Sequence, residues 1–426
     1  MLIKDLLASR NGRFTSFAVM YISEGIPYGF TSAAMVAYMR SEGVSLDNIG
    51  LFVAALFIPW SFKWVWAPLV DLFRFNAIGG RKAWIAFCTS MMLVTLAAVL
   101  LLDVSQNFQW LLAFIVIHNL FAATQDVAID SLAVSTLQPD ERSRGNGFMF
   151  GGQYMGIALG GAGAIALFGL IGFEATVVVM CLFLAVNLSF IYLFIRDPDT
   201  GRAASEHSLW ETIRGFFLEL RIGFFGSGPG PKIAFLFALL PVGAIALAYA
   251  TLSTIQVDYG LEEADISKVT ALNTILAATG CVIGGILGDR FGIKRVLFIA
   301  YIATTLPTLT LAFAIQANGL EGISFSMLAG AIGAHGFVYG VAFGLHAAIF
   351  MGVANPAVGA TMFTAFMAMS NIAISYTNYW QGQVAENFDY ARVLFLDAAV
   401  MLLPLALIPF LQDRKEVGAV LPQKPD

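Results

Sequence analysis

The chain has 426 residues, of which 58% are hydrophobic and only 12% charged, with a formal net charge of −5. Soluble domains carry about 25% charged residues, so this composition excludes a water-soluble globular protein and leaves the bilayer as the solvent. Cys88, Cys181 and Cys281 stand singly in apolar segments, which excludes a CxxC redox or zinc motif, and no metal or other cofactor is expected.

Lys4, Arg10 and Arg13 precede a first apolar stretch that is too long for a signal-peptide core and lacks a small-residue cleavage site, so it reads as an uncleaved span. About 20 helical residues cross a hydrocarbon core of ~30 Å. Twelve stretches of that kind follow one another at 14–39, 47–70, 83–102, 108–136, 146–170, 173–195, 232–256, 264–288, 292–316, 322–350, 356–381 and 391–412. The expected organisation is therefore an all-α membrane protein with a six-helix half over 1–195, a linker over 196–231, a second six-helix half over 232–412 and a tail over 413–426. Within the linker, 205–221 has the pattern of an amphipathic helix lying on the membrane surface, although a plain connector would look the same. With both termini on one side, every Lys and Arg of the 23 except Arg40, Lys63, Lys268 and Arg392 falls on that side, which the positive-inside rule assigns to the cytoplasm.

A polar signature occurs twice, after the second span of each half. The clean copy is Gly285, Asp289, Arg290, Gly292, Lys294 and Arg295; the looser one is Asp71, Arg74, Gly79, Gly80, Arg81 and Lys82. Two six-span halves bearing this signature resemble the major facilitator superfamily, whose fold places twelve helices in two halves around a central cavity. The run Phe62–Asp71, the run Thr124–Asp130 and the Gly25-Ile26-Pro27 break resemble its peptide and acetyl-CoA transporter branch. That branch includes bacterial muropeptide permeases and siderophore permeases. The resemblance implies import of a solute across the inner membrane, and a cytoplasmic gate formed by Asp71, Arg81, Lys82, Asp289, Arg290, Lys294 and Arg295.

An ionisable group inside a span costs several kcal/mol unless it faces water or a partner, on the order of 3 kcal/mol at the centre. Glu24, Lys63, His118, Asp126, Asp130, His335 and His346 are the main ones here. Asp126 and Asp130 are four residues apart and share a helix face beside Gln125. Helix rise places Asp130 at the depth of Lys63, so a Lys63–Asp130 pair is expected, with Asp126 nearer the cavity as a proton-titrating or substrate-binding group. Glu24 adjoins the helix-weakening Gly25 and Pro27, where it either titrates or is satisfied by a tyrosine or a neighbouring helix. His335 lies among glycines near Tyr339 and either exchanges a proton or packs. His118 and His346 read as packing residues. Asn119, Gln125, Gln153 and Tyr339 are polar candidates for the cavity wall, and Asn378 and Gln381 add amides to the eleventh span.

The absence of a P-loop argues against ATP as the energy source, and the acidic and histidine residues point to protons. HExxH and GxSxG are absent, and Asp126 and Asp130 on one helix do not make an aspartyl dyad, so an enzyme is not expected. The expected function is a proton-coupled symporter, working as a monomer by alternating access, that imports a polar solute such as a muropeptide. A siderophore is the alternative and an acyl-CoA the less favoured one, and no nucleic acid is involved.

Overall fold

In the computed structural model, residues 5–72, 79–102, 106–138, 141–197, 209–226, 228–354 and 359–411 are described. They are helical almost throughout. In chain order the helices are α1 (Arg10–Gly29), α2 (Met35–Ser41), α3 (Leu46–Leu72), α4 (Arg81–Ala98), α5 (Phe108–Thr136), α6 (Arg142–Ala158), α7 (Ala164–Ile171) and α8 (Phe173–Phe194). The amphipathic linker helix α9 (Leu209–Phe225) follows and runs past the expected end at 221, while 205–208 of the expected 205–221 lie outside the described residues. Then come α10 (Gly230–Ala238), α11 (Ala250–Asp258), α12 (Glu263–Phe291), α13 (Ile293–Asn318), α14 (Phe325–Val353), α15 (Gly359–Asn387) and α16 (Tyr390–Val400).

Only helices and closed barrels satisfy every backbone group in lipid. Nine segments among the described residues are long and apolar enough to cross a membrane. The other three expected spans, the first, seventh and eleventh, are α1 with α2, α10 with α11, and α15. Apolar side chains such as Leu101, Leu170, Val186, Ile275 and Ile299 point outward and exposed, as a lipid-facing surface requires.

Several expected spans depart from straight helices, the twelfth by ending α16 at Val400 and continuing in short 3-10 turns to Phe410. The first passes through a π-helical turn at Phe30–Ala34 that packs against a second one, Leu159–Gly163, in the fifth span. Pro27, three residues before Phe30, lacks the amide that would continue the ladder of α1. The seventh, expected to be continuous over 232–256, stops at Ala238 and resumes at Ala250. Pro241 and Gly243, the latter at φ +68°, lie in the interruption.

Four large apolar clusters and a small one, of Ala244, Ile245 and Met401, form the core among the described residues. The two nearer the chain termini each draw on one half, from Leu7 to Ile195 and from Ala234 to Leu411. The two at the opposite end mix the halves: Ala250, Ile266 and Ile374 join a cluster of first-half residues, and Leu46 joins one of second-half residues. The halves are thus sealed together at the end away from the termini and have separate cores at the other. At the sealed end α3 crosses α15 closely enough that a Cβ on Gly50 would come within 2.8 Å of the Cα of Gly382.

Candidate functional site

The first half gathers its ionisable groups on α1, α3, α5 and α6. Lys63 of α3 forms an ion pair with Asp126 of α5, and its ammonium also lies 5.1 Å from the centre of the Trp60 ring. The expected Lys63–Asp130 pair is therefore replaced by Lys63–Asp126. Asp130, one turn on, accepts a hydrogen bond from the Tyr21 hydroxyl of α1 at 2.5 Å. The two carboxylates share a face as expected, and the packing of α3 on α5 brings the lysine to the first of them. Asp126 is buried, whereas Asp130 is exposed, so the carboxylate that solvent reaches is the one without the lysine.

Glu24 is buried and receives Gln153 Nε2 at 2.7 Å from α6. Its Oε2 has no hydrogen-bond partner among the described residues. Glycine makes this approach possible: a Cβ on Gly25 or Gly156 would run into the facing backbone, so α1 and α6 meet at main-chain distance. Asn119 accepts from Trp60 Nε1 at 3.1 Å and is buried. Gln125 turns instead toward α4, donating to Thr89 Oγ1 at 2.5 Å, and is fully buried, so it does not line a cavity.

In the second half His335 Nε2 bonds the carbonyl oxygen of Ala244 at 2.6 Å, and its ring stacks on Tyr339. The Tyr339 hydroxyl lies 3.0 Å from that of Tyr249. Tyr249 also meets Phe57 of α3 edge to face, and Tyr154 lies 3.7 Å from Cys281, so half-buried aromatics from both halves meet at mid-bundle. His118, with Thr95 and Met92, and His346, with Tyr301 and Ser370, are buried packing residues.

Arg81, Lys82 and Arg290 of the expected cytoplasmic gate contact neighbouring side chains and backbone. Arg81 reaches Ser131 at 2.8 Å and Ser135 at 3.1 Å on α5 and pairs with Asp197 at 3.6 Å, all within the first half. Lys82 donates to the carbonyl of Tyr192 at 2.9 Å, and Arg290 lies over Phe291. Asp289 and Arg290 sit within the last turn of α12 rather than after it. The side chains of Asp71 and Asp289 lie outside the described residues. Another anchor at this end is Glu141, which takes two hydrogen bonds from Arg13, at 2.8 and 2.5 Å. Hydrogen bonding by Arg13 holds the Glu141 carboxyl below the usual carboxylate range.

The ion pair that joins the halves lies at the opposite end and was not among the sequence candidates. Arg40 of α2 donates from Nε at 2.5 Å and Nη2 at 2.8 Å to the two oxygens of Asp258, at the end of α11, and the Tyr390 hydroxyl donates to the same carboxylate at 2.7 Å. Glu386 of α15 accepts from the Leu46 amide at 2.6 Å, and Ser267 of α12 donates to the Ala162 carbonyl at 2.8 Å. A groove of about 660 Å³ opens beside this latch between Arg40, Asp258, Glu386 and Arg392. The sequence signal for the pair was Arg40, one of the few basic residues that fall away from the expected cytoplasmic side.

A helical bundle sealed at one end, divided at the other and carrying ion pairs within its spans defines a multi-pass membrane transporter. The Major Facilitator Superfamily model matches residues 14–378 and 233–425, and the chain belongs to that superfamily. It is 24% identical over 402 residues to the anhydromuropeptide permease of Escherichia coli (strain K12), covering 92% of this chain and 78% of that protein. It is 23% identical over 304 residues to the putative transporter AmpG 4 of Rickettsia conorii, covering 69% of this chain and 72% of that one. Among solved structures it resembles the nucleoside transporter NupG, with a TM-score of 0.70 at 15% identity over 94% of this chain and 98% of that one. It also resembles the D-xylose-proton symporter, with a TM-score of 0.71 at 12% identity over 95% of this chain and 99% of that one.

Proposed function

We propose that the protein is a proton-coupled symporter that imports a muropeptide across a bacterial inner membrane by alternating access, with both termini cytoplasmic and the monomer as the working unit. The observation that carries this reading is Asp130, a solvent-reached carboxylate inside a span, held by Tyr21 one turn from the part-buried Lys63–Asp126 pair. A carboxylate in that position exchanges a proton with the aqueous side while its neighbour keeps the lysine neutralised. Glu24 and Gln153 extend the polar surface toward α6, and Asn119 and Tyr339 add groups that can bond amides or hydroxyls. The sealed Arg40–Asp258 end is then the periplasmic gate and the divided end the cytoplasmic release path, with the six-helix halves over 1–195 and 232–412 as the rocking units. The muropeptide assignment draws on the likeness to the anhydromuropeptide permease.

The test is uptake of radiolabelled anhydromuropeptide by proteoliposomes under an imposed inward proton gradient. Wild type accumulates it, and Asp126→Asn and Asp130→Asn lose gradient-driven accumulation with normal insertion. Accumulation that ignores the gradient refutes proton coupling, and competition by a ferric siderophore in place of the muropeptide refutes the substrate.

A further inference from the structure

The irregular middle of the seventh span is held by side chains from four other helices, one of them a carboxylate that the transport reading above does not use. Leu247 leaves helical geometry there, and Tyr249 takes φ −132° and ψ −129°. A helix broken within the bilayer frees amides and carbonyls that must find partners. Thr304 Oγ1 of α13 accepts the Ala244 amide at 2.9 Å, and His335 of α14 bonds the Ala244 carbonyl. Asn378 Oδ1 of α15 accepts the Ala250 amide at 3.2 Å. Asp397 of α16 accepts the Ala246 amide at 3.0 Å and a further backbone hydrogen bond from Ile245. Asp397, Thr304, His335 and Asn378 have no exposed surface.

Gln381, also fully buried, donates from Nε2 to Asp397 Oδ1 at 2.8 Å, while its Oε1 has no partner among the described residues. An ionised carboxylate needs donors, and this amide supplies one. A protonated carboxyl is itself a donor, and the same amide turned by half a rotation presents Oε1 to receive it. One glutamine thus serves both protonation states. The elements packed on α16 include α13, α15 and the turn Ala246–Ala248; among the described residues none of them brings a charged side chain to Asp397. His335, on the Ala244 carbonyl, and Tyr249, within the segment and 3.0 Å from the Tyr339 hydroxyl, are the other titratable groups here. A proton can therefore join Asp397 without breaking an ion pair.

We propose that Asp397 and Gln381 form a proton-binding site in the second half whose occupancy sets the grip on the break in the seventh span. One proton from solvent forms an O–H bond on Asp397 and is later returned to solvent; no other covalent bond changes. The neutral carboxyl is a weaker acceptor for the Ile245 and Ala246 amides, so the break loosens. The consequence reaches the latch because α11 runs directly from the break to Asp258, nine residues or about 13 Å of helix. The site deepens the proton-coupled reading and rests on residues separate from Glu24, Asp126 and Asp130.

Hydrogen–deuterium exchange of the segment 239–249 in the reconstituted full-length protein, corrected for intrinsic rates, reads the grip directly. Between about pH 8 and about pH 5 the wild-type segment should lose protection by about tenfold or more, and Asp397→Asn should show no such pH dependence. A wild type without the transition, or an Asp397→Asn variant that retains it, overturns the proposal. Should Asp397→Asn fail to fold, Gln381→Leu keeps the carboxylate and its backbone donors but removes both amide partners. It should raise the midpoint of the transition by about one pH unit or more, because the bond lost from the ionised carboxylate is charge-assisted and the stronger of the two, and an unmoved midpoint overturns the proposal. Gradient-driven uptake of labelled anhydromuropeptide, measured alongside, separates the two readings. Exchange that responds to pH without gradient-driven uptake rejects the symporter and leaves the site; uptake without the exchange response rejects the site alone.

Discussion

Removing Arg40 tests the proposed periplasmic seal directly. Its guanidinium meets both oxygens of Asp258, and the two side chains are 23% and 19% exposed. Fully exposed ion pairs contribute about 0.2–1 kcal/mol, whereas hydrogen bonds to charged groups contribute about 1.5–3 kcal/mol, and a bidentate pair at this exposure falls near 2 kcal/mol. The contact joins α2 to α11 and exists only while the halves meet at this end, so its whole loss falls on the closed state. About 2 kcal/mol is roughly a 30-fold change in the ratio of closed to open molecules. With Cys88, Cys181 and Cys281 replaced by serine, an Ala250→Cys probe, buried in the cluster where the halves meet, can be labelled with a water-soluble maleimide in nanodiscs. Where the closed state predominates, the labelling rate follows the open fraction, so Arg40→Gln should label about 30-fold faster, and the exchanged pair Arg40→Asp with Asp258→Arg should return toward the parent rate. An unchanged rate in Arg40→Gln refutes the latch. So does a double variant, Arg40→Gln with Asp258→Asn, whose effect is the sum of the singles, because groups that do not interact add.

Two further outcomes follow from the first half. Lys63→Met strands the buried Asp126 and should lower stability by about 2–3 kcal/mol, less than for a fully enclosed pair because 20% of the lysine side chain is exposed. Adding Asp126→Leu should recover most of that loss in thermal unfolding without recovering uptake; a double variant less stable than Lys63→Met would contradict the pairing. Glu141 is held below the ordinary carboxylate range, so the unfolded chain binds its proton first as the pH falls. Its contribution is complete above about pH 4.5, the unfolded range, and disappears as the pH drops through the folded value. Glu141→Gln should therefore melt lower than wild type near neutral pH and approach it in acid, and parallel melting curves across pH would exclude this role for Arg13 and Glu141.

The helical membrane class, most span positions and the duplicated signature were legible in the sequence because bilayer burial imposes them residue by residue. The site was legible in part. Asp126, Asp130, Lys63 and Glu24 stood out as ionisable groups in apolar runs, and all four fall in one first-half cluster. Gln125 was misread because its position beside Asp126 places it on another face, toward Thr89. Arg81 is charged and near a helix start, which says nothing of whether its partner is Asp197 or a residue of the other half. The break in the seventh span had a local signal in Pro241 and Gly243. Asp397 had one too, as a single carboxylate in the run Leu394–Val400, but its use depends on Ala246, far upstream in the chain.

The sequence by itself determined that this chain lives in a membrane as apolar helices in two related halves, because hydrophobic length and the placement of lysine and arginine are properties of the linear chain. Only the tertiary structure decided which end is sealed, that Lys63 pairs with Asp126 and leaves Asp130 to Tyr21, and that Asp397 holds the seventh span. Those choices depend on the rotation and tilt of one packed helix against another. A change of one residue's angular step, about 100° on a helix, exchanges one neighbour for the next while leaving the sequence pattern unaltered.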